Sequence, residues 1–335
     1  MDRHFIHFET PELATVVTDT APPPGPEEVL IAVDHAGINR ADLLQRLGLY
    51  PPPEDASPIP GLEVAGQVVA VGERCTTLKV GDRVCALTHG GGYASHAIAR
   101  EDHCLALPDS LSTEQGAALP EALLTVWYNV MERGQLSAGE TVLIHGGSSG
   151  IGSIGIQMAT ALGANVVSTA GSAARCDAVK ALGASFVANH REGSLAEQFT
   201  DAGYGGQIDV ILDIAGGDLM QANLDLAAPD GRIVCIGVMR GMQSEINLAT
   251  LFMKRLTLTG STLRRLDTAE RALCFNAIRA QIWPQVIAGD IQPIVDTAYP
   301  LAEVLEAHKH MRLGTHFGKL VLDCRLGWAP VIRAQ

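Results

Sequence analysis

The chain has 335 residues, enough for two domains of ordinary size, and its 47% hydrophobic content with only 4% aromatics is the balance of a folded globular protein, not a disordered one. A net charge of −13 and a pI near 5.2 exclude a protein that binds nucleic acid by neutralising phosphates, since Lys254-Arg255 and Arg264-Arg265 are too short to act as a basic patch. No apolar run approaches the ~20 residues of a membrane-spanning helix and the opening MDRHFIHFETPE lacks a signal-peptide core, so a cytoplasmic enzyme with no membrane partner is expected.

Residues 1 to about 120 lack any strand–helix rhythm. Their apolar pieces, VLIAV (29–33), LEVAGQVVAVG (62–72) and DRVCAL (82–87), are broken by Gly and Pro in the manner of an irregular, mostly antiparallel β domain. The Pro-rich stretches APPPGP (21–26) and PPPEDASPIP (51–60) read as rigid loops. PEALLTVWYNVMERG (120–134) begins with proline, keeps its apolar residues on one face and stops at glycine, which predicts a helix linking two domains.

The character changes at TVLIHGGSSGIGSIG (141–155). Thr141 to His145 is a β-branched, apolar run ended by Gly146, the pattern of a strand buried on both faces. Ile151, Ile154, Gly155, Met158, Ala159 and Leu162 then recur at helical spacing as far as Gly163. Gly150, Gly152 and Gly155 fit the dinucleotide fingerprint, in which glycines and a helix N-terminus let backbone N–H groups approach a pyrophosphate. Alone that pattern is weak, because a glycine-rich turn without a ligand looks the same. The rest of the chain strengthens it: NVVST (165–169), SFVA (185–188), IDVILDI (208–214), RIVCI (232–236) and LTLTG (256–260) are strand-like with helical segments between most of them. Six strands beginning at Thr141 make a doubly wound Rossmann arrangement, an α/β fold with its ligand at the carboxyl ends of the strands.

At the end of the second of these strands an acidic residue would hold the adenosine ribose and repel an added phosphate, yet the stretch reads STAGSAAR. Ser172 can supply a hydroxyl and Arg175 a guanidinium to a 2′-phosphate, so NADPH is favoured over NADH. The plainer alternative for Arg175 is a solvated residue in the first turn of a helix. Seven cysteines (75, 85, 104, 176, 235, 274, 324), odd in number and scattered, suggest neither a disulfide framework nor a Cys-x-x-Cys metal knuckle.

Several longer blocks, NRADLLQRLGLYPPP (39–53), GLEVAG (61–66), LPEALLTVW (119–127), IHGGSSGIG (144–152), TAGS (169–172), TGSTLRR (259–265), PLAEVLEAHKHM (300–311) and FGKLVL (317–322), together resemble the zinc-less quinone oxidoreductases of the medium-chain dehydrogenase/reductase superfamily. Ser149, NRADLLQRLGLY and TAGS resemble the branch containing the tumour-suppressor-induced quinone oxidoreductase and its bacterial relatives. The resemblance covers nearly the whole chain and implies a GroES-like β-rich catalytic domain (1–122 and 264–335) with a Rossmann NADPH-binding domain (123–263) inserted in it. It also implies that the cofactor lies in the cleft between the two domains, and that the protein is a homodimer joined through the cofactor domains. That agrees with an apolar last strand, 256–260, expected at a sheet edge.

The resemblance implies cofactor contacts from Thr125, Ser149, Gly150, Ile151, Gly152, Gly171, Ser172, Arg175, His190, Gly237, Ser261, Thr262 and Leu263. Thr125 could equally be a helix-interior threonine and Ser261 to Leu263 an ordinary strand end. Relatives commonly carry Asn-Tyr-Arg or Asn-Tyr-Lys after the third strand, where this chain has Asn189-His190-Arg191, so the NADPH preference could be weaker and pH-dependent, or His190 could simply cap a loop. Related zinc enzymes place a Cys near Asn39 and a Gly-His-Glu where this chain reads Gly61-Leu62-Glu63. Too few soft ligands remain for a tetrahedral site, no metal is expected, and Glu63 becomes an internal hydrogen-bond acceptor. Without a Lewis acid the substrate carbonyl must be polarised by hydrogen bonds, and Asn39 and Tyr50 are the candidate donors. Tyr50 could instead stack, or pack as a loop aromatic against Pro51 to Pro53. The expected activity is zinc-independent NADPH reduction of a small quinone or enone. The rivals are an enoyl thioester reductase using a tyrosine proton donor, and a non-catalytic NADPH-binding protein. The tail after Leu322, DCRLGWAPVIRAQ, runs past the family's usual end and carries no reading.

Overall fold

The computed structural model describes residues 1–325 and the backbone of 331–333; the rest of the tail lies outside the described residues. The chain divides into two compact units, Met1–Ala122 with Arg264–Ala280 and Pro293–Gln335, and Leu123–Leu263 with Gln281–Gln292.

In the first unit, strands β1 (Asp2–Thr10) and β2 (Leu13–Thr20) form an antiparallel hairpin. They are followed by β3 (Glu28–Gly37), β4 (Glu63–Val71), β5 (Arg83–Leu87), β6 (His96–Arg100) and β7 (Cys104–Ala106). The hairpin was not anticipated, because HFIHF does not alternate cleanly. Ile6 is fully buried while Phe5 and Phe8 are packed more loosely against the same core. The core is apolar, built from Ile31, Val33, Val64, Val68, Val84 and Tyr93. The GroES-like expectation for this unit holds, with a mixed sheet described below.

The second unit holds β8 (Thr141–Ile144), β9 (Asn165–Ala170), β10 (Phe186–Asn189), β11 (Ile208–Asp213), β12 (Ala227–Cys235) and β13 (Thr257–Gly260). All pairings are parallel, in the order β10-β9-β8-β11-β12-β13. This is the Rossmann-like α/β sheet expected. Its apolar runs stand out in the sequence because such strands are buried on both faces. The order reverses at β8, so the glycine turn that follows it lies at the switch point, outside the carboxyl ends of the strands. Gln281–Gln292 joins this unit because the Gln157 amide holds the Gln292 backbone twice, accepting from its N–H at 2.8 Å and donating to its carbonyl at 3.0 Å.

Three strands complete the chain: β14 (Val295–Pro300), β15 (Lys319–Asp323) and β16 (Val331–Arg333). They return to the first unit, giving a seven-stranded sheet whose main path runs β14-β15-β3-β4-β5-β7, with β6 on β3, and a three-stranded sheet β1-β2-β16.

The predicted helix over 120–134 is α-helical from Pro120 to Val126 and π-helical from Trp127 to Arg133. The side chain of Asn129 donates to the Thr125 carbonyl at 2.8 Å, and the Gly134 amide reaches five residues back to the Asn129 carbonyl. A side chain inserted into the backbone ladder is a recognised cause of such widening.

Candidate active site

In the first unit β3 ends at Gly37 and the chain enters the helix Arg40–Arg46 through Asn39. The Asp42 side chain accepts the Asn39 N–H at 2.8 Å and the Gly61 N–H at 3.1 Å, which clamps GLEVAG to the start of that helix. Asn39 is buried. Its Nδ2 donates to Glu63 Oε1 at 2.8 Å and its Oδ1 accepts from Lys319 Nζ at 2.7 Å. Lys319 also bonds Glu63 directly, and Glu63 Oε2 accepts the backbone N–H of Glu121 at 2.9 Å. Glu63 is thus the internal acceptor anticipated. A Cβ on Gly37 would lie 2.4 Å from its carboxylate, so only glycine fits there. The amide expected to polarise a substrate has one of its two protons engaged by Glu63, leaving one for any other acceptor.

Tyr50 lies in the same unit under Arg264, whose guanidinium carbon sits 4.5 Å from the ring centroid and whose Nη1 donates to the Tyr50 carbonyl at 2.8 Å. Arg271, buried, donates to the Arg264 carbonyl at 3.2 Å and stands within electrostatic reach of both Glu121 and Tyr50. The structure therefore places Asn39 in a buried set with Glu63, Lys319 and the Glu121 backbone, and Tyr50 in a second set with Arg264 and Arg271 that lies within electrostatic reach of Glu121. Lys319, Glu121 and Arg264 had no role assigned from sequence. A lysine opening the otherwise apolar KLVLD was the one available signal for Lys319.

Burial pushes the Glu121 carboxyl up to about 7, with the Glu63 carboxylate next in effect; Lys319 opposes the rise, Asp42 adds to it and Arg271 opposes it more weakly. Asp42, fully buried, is raised to about 6 by desolvation despite its hydrogen bonds. With the Glu63 and Asp42 carboxylates in reach and only Lys319 and Arg271 to offset them, the buried Glu121 carboxyl is held toward its protonated form.

In the second unit the glycine turn is a capped helix start. Ser149 is the N-cap of Gly150–Ala161 and its Oγ accepts the Gly152 N–H at 3.0 Å. The Gly152 amide is therefore engaged within the turn. Its glycine is required by packing, because a Cβ there would meet the Gly146 carbonyl at 2.3 Å. Gly150 and Ile151 occupy the first helical positions, whose N–H groups have no intrahelical acceptor. Gly171 follows β9 directly, and Ser172 caps Ala173–Ala181 by accepting the Arg175 N–H at 3.3 Å. His190 lies against Gly171, its ring atoms 3.1 Å from where a Cβ would be, and Arg191 approaches the same point. Burial first, then Arg191 and Arg240, hold the imidazole below its ordinary range, with His145 and Arg175 adding to the effect. Arg191, 3.5 Å from that same Gly171 position, is thus a neighbour given no role from sequence, while Arg240 is itself paired with Asp218 at 2.5 and 2.6 Å.

Thr125 and Ser261 are brought together by Asn129, which donates to the Thr125 carbonyl and accepts from Ser261 Oγ at 2.6 Å. Gly237 packs against the Ile214 backbone, and Leu263 begins a short 3-10 turn after Thr262. Among the described residues no group of three His, Cys, Asp or Glu side chains is arranged to hold a metal ion.

Family models for the alcohol dehydrogenase GroES-like domain and for zinc-binding dehydrogenase match residues 25–109 and 150–277. The quinone oxidoreductase of Sus scrofa is 34% identical over 320 residues, 94% of this chain and 95% of that one. The structure of Escherichia coli quinone oxidoreductase complexed with NADPH superposes with a TM-score of 0.81 at 29% identity, covering 96% of this chain and 100% of that one. A mycocerosic acid synthase-like polyketide synthase of Mycobacterium tuberculosis is 34% identical over 304 residues, 90% of this chain but only 14% of that entire protein. The fold and these matches define a scaffold of the quinone oxidoreductase and enoyl reductase class. The chain belongs to the medium-chain dehydrogenase/reductase superfamily and is quinone oxidoreductase-like within it.

The Glu121 assignment has a pH signature. A carboxyl at about 7 in the folded chain against about 4.5 unfolded binds its extra proton when folded, so its contribution to stability is largest at low pH and declines as pH rises from about 4.5 through 7. Glu121→Gln removes that decline: urea unfolding should show little change at pH 5 and a gain on the order of 1–3 kcal/mol at pH 8. An equal offset at both pH values would contradict the assignment.

Proposed function

We propose that the protein is an NADPH-dependent reductase of quinones or related conjugated carbonyls that works without zinc. The observation that carries this reading is the Asn39 amide, held by Glu63 and Lys319 at the position where related zinc enzymes have a cysteine. When bound, NADPH supplies the hydride. The residues suited to hold it are Ser149 to Gly152 for the pyrophosphate, Gly171, Ser172, Arg175 and His190 with Arg191 for the adenosine phosphate, and Thr125, Gly237 and Ser261 to Leu263 for the nicotinamide side. The end of β9 carries no carboxylate and is followed by Ser172 and Arg175, which supports NADPH over NADH. Asn39, with its orientation fixed, offers its second N–H to a substrate oxygen, and Tyr50 offers a phenol steadied by Arg264.

A second reading, an enoyl thioester reductase, is favoured by the match to a stretch of a polyketide synthase. The two separate kinetically. For a quinone reductase, Asn39→Ala and Tyr50→Phe should each lower kcat/KM on an ortho-quinone by roughly five- to 150-fold, about 1 to 3 kcal/mol, with NADPH affinity nearly constant. A wild type inactive on quinones but fast on crotonyl thioester, with Tyr50→Phe crippled, would establish the rival. Inactivity on both despite tight NADPH binding would leave a non-catalytic binder.

For the cofactor, Arg175→Ala should weaken NADPH by at least about tenfold and spare NADH, measured by titration of protein fluorescence; equal losses would remove Arg175 from the phosphate site.

Assembly follows from the open edge of the Rossmann sheet. β13 is terminal, Leu258 is 41% exposed on it, and the neighbouring helix Leu248–Met253 exposes Leu248, Phe252 and Met253. An apolar edge of this kind supports a homodimer paired through the cofactor units. Light scattering at micromolar concentration should give twice the monomer mass, and a monomer would rule the pairing out.

A further inference from the structure

At the carboxyl ends of three neighbouring Rossmann strands lies a buried polar chain that neither the fingerprint nor the proposed chemistry uses. Asp213, fully buried at the end of β11, accepts the Ala215 and Gly216 N–H groups on Oδ1 at 2.7 and 2.9 Å and Asn223 Nδ2 on Oδ2 at 3.0 Å. Asn223, also fully buried, turns its Oδ1 to His145 Nε2 at 2.8 Å. The other imidazole nitrogen, Nδ1, lies 3.3 Å from Thr169 Oγ1, and that hydroxyl accepts the N–H of Gly146 at 3.0 Å.

The charge at one end sets the direction of every bond. A carboxylate has no proton to give, so the Asn223 amide must present its NH₂ to Asp213 and its oxygen to His145. The imidazole must then carry its proton on Nε2 and keep a lone pair on Nδ1. Thr169, whose oxygen already receives the Gly146 N–H, directs its hydroxyl proton to that lone pair. Thr169 also holds the next residue, its carbonyl accepting the Gly147 N–H at 2.9 Å. Gly146 sits at φ +69°, a left-handed backbone that favours glycine, and a Cβ on Gly147 would lie 2.4 Å from Ser168 Oγ. The first two amides of the glycine turn are thereby tied inward, and the turn leads directly to Ser149 and the start of its helix.

We infer that Asp213, Asn223, His145 and Thr169 are a positioning chain that presets the Gly146–Ser149 turn for a dinucleotide pyrophosphate, with His145 locked as the Nε2–H tautomer. The inference rests on the reading of that turn as the cofactor site. None of the four touches the phosphate; they act through the backbone they hold. Desolvation keeps the His145 imidazole below its usual range, which agrees with a ring that stays neutral.

Thr169→Val keeps the shape of the side chain and removes the hydroxyl, whereas Thr169→Ser keeps the hydroxyl. In the full-length protein, Thr169→Val should raise the Kd for NADPH by about tenfold, the effect of one lost hydrogen bond at a buried turn, while kcat on the best quinone at saturating NADPH stays within about twofold. Thr169→Ser should recover affinity to within about threefold. Long-range ¹H–¹⁵N spectra of protein labelled at its histidine nitrogens should show one ring in the Nε2–H form across pH 6 to 8, assigned by its disappearance in His145→Gln. An unchanged Kd in Thr169→Val, an equal loss in Thr169→Ser, or an Nδ1–H tautomer overturns the chain. A wild type that binds neither NADPH nor NADH overturns the cofactor reading instead, and the tautomer measurement still reports on the chain.

Discussion

A carboxylate carried into an apolar interior must find a donor for each oxygen, and that constraint organises both units. Asp42 collects the N–H groups of Asn39 and Gly61 and the hydroxyl of Tyr93. Glu63 collects Asn39, Lys319 and the Glu121 amide. Asp213 collects two turn amides and Asn223. The Asp42 and Glu63 sets join segments far apart in the chain, whereas the donors of Asp213 lie within ten residues of it; removing one partner of a buried charge costs about 3–5 kcal/mol, because the other is stranded.

The two units meet the constraint differently. In the first, Lys319 supplies an opposite charge, but a third carboxylate, Glu121, stands nearby and the negative charge is in excess. The excess is relieved by a proton that a small change of pH can remove. In the second, Asp213 is met by neutral donors only, and its influence passes outward through Asn223, His145 and Thr169 as hydrogen-bond direction. The first arrangement leaves a carboxyl whose charge is disfavoured by burial and by its like-charged neighbours; the second leaves a turn held in one direction.

Loss of metal ligands fits the same picture. The chain matches a family model described as zinc-binding dehydrogenase, yet its Asn39 and Leu62 offer no soft donors, and Glu63 is saturated by Lys319 and Asn39. In the proposed reaction, carbonyl polarisation therefore falls to hydrogen-bond donors, of which the Asn39 amide is held in one orientation by Glu63 and Lys319. The scaffold is common to enzymes of both kinds, so chemistry follows from these side chains more than from the fold.

The Rossmann half was legible in the sequence because parallel strands buried on both faces appear as uninterrupted apolar runs, and the glycine turn and capping serines act over three or four residues. The capping serines Ser149 and Ser172 were legible for the same reason, each closing on an amide three residues ahead. The hairpin Asp2–Thr20 was not, since its apolar residues do not alternate, and neither was the π-helical turn at Trp127–Arg133, whose Asn129 bonds the Thr125 carbonyl behind it and also Ser261 132 residues later. Only tertiary structure decided that Lys319 meets Glu63 across 256 residues, that His190 and Arg191 close on Gly171, and that Asp213 reaches the Gly146 turn through a histidine. Local sequence determines what each residue can donate or accept. Which donor meets which acceptor is decided when distant segments are buried together and no water remains to satisfy them.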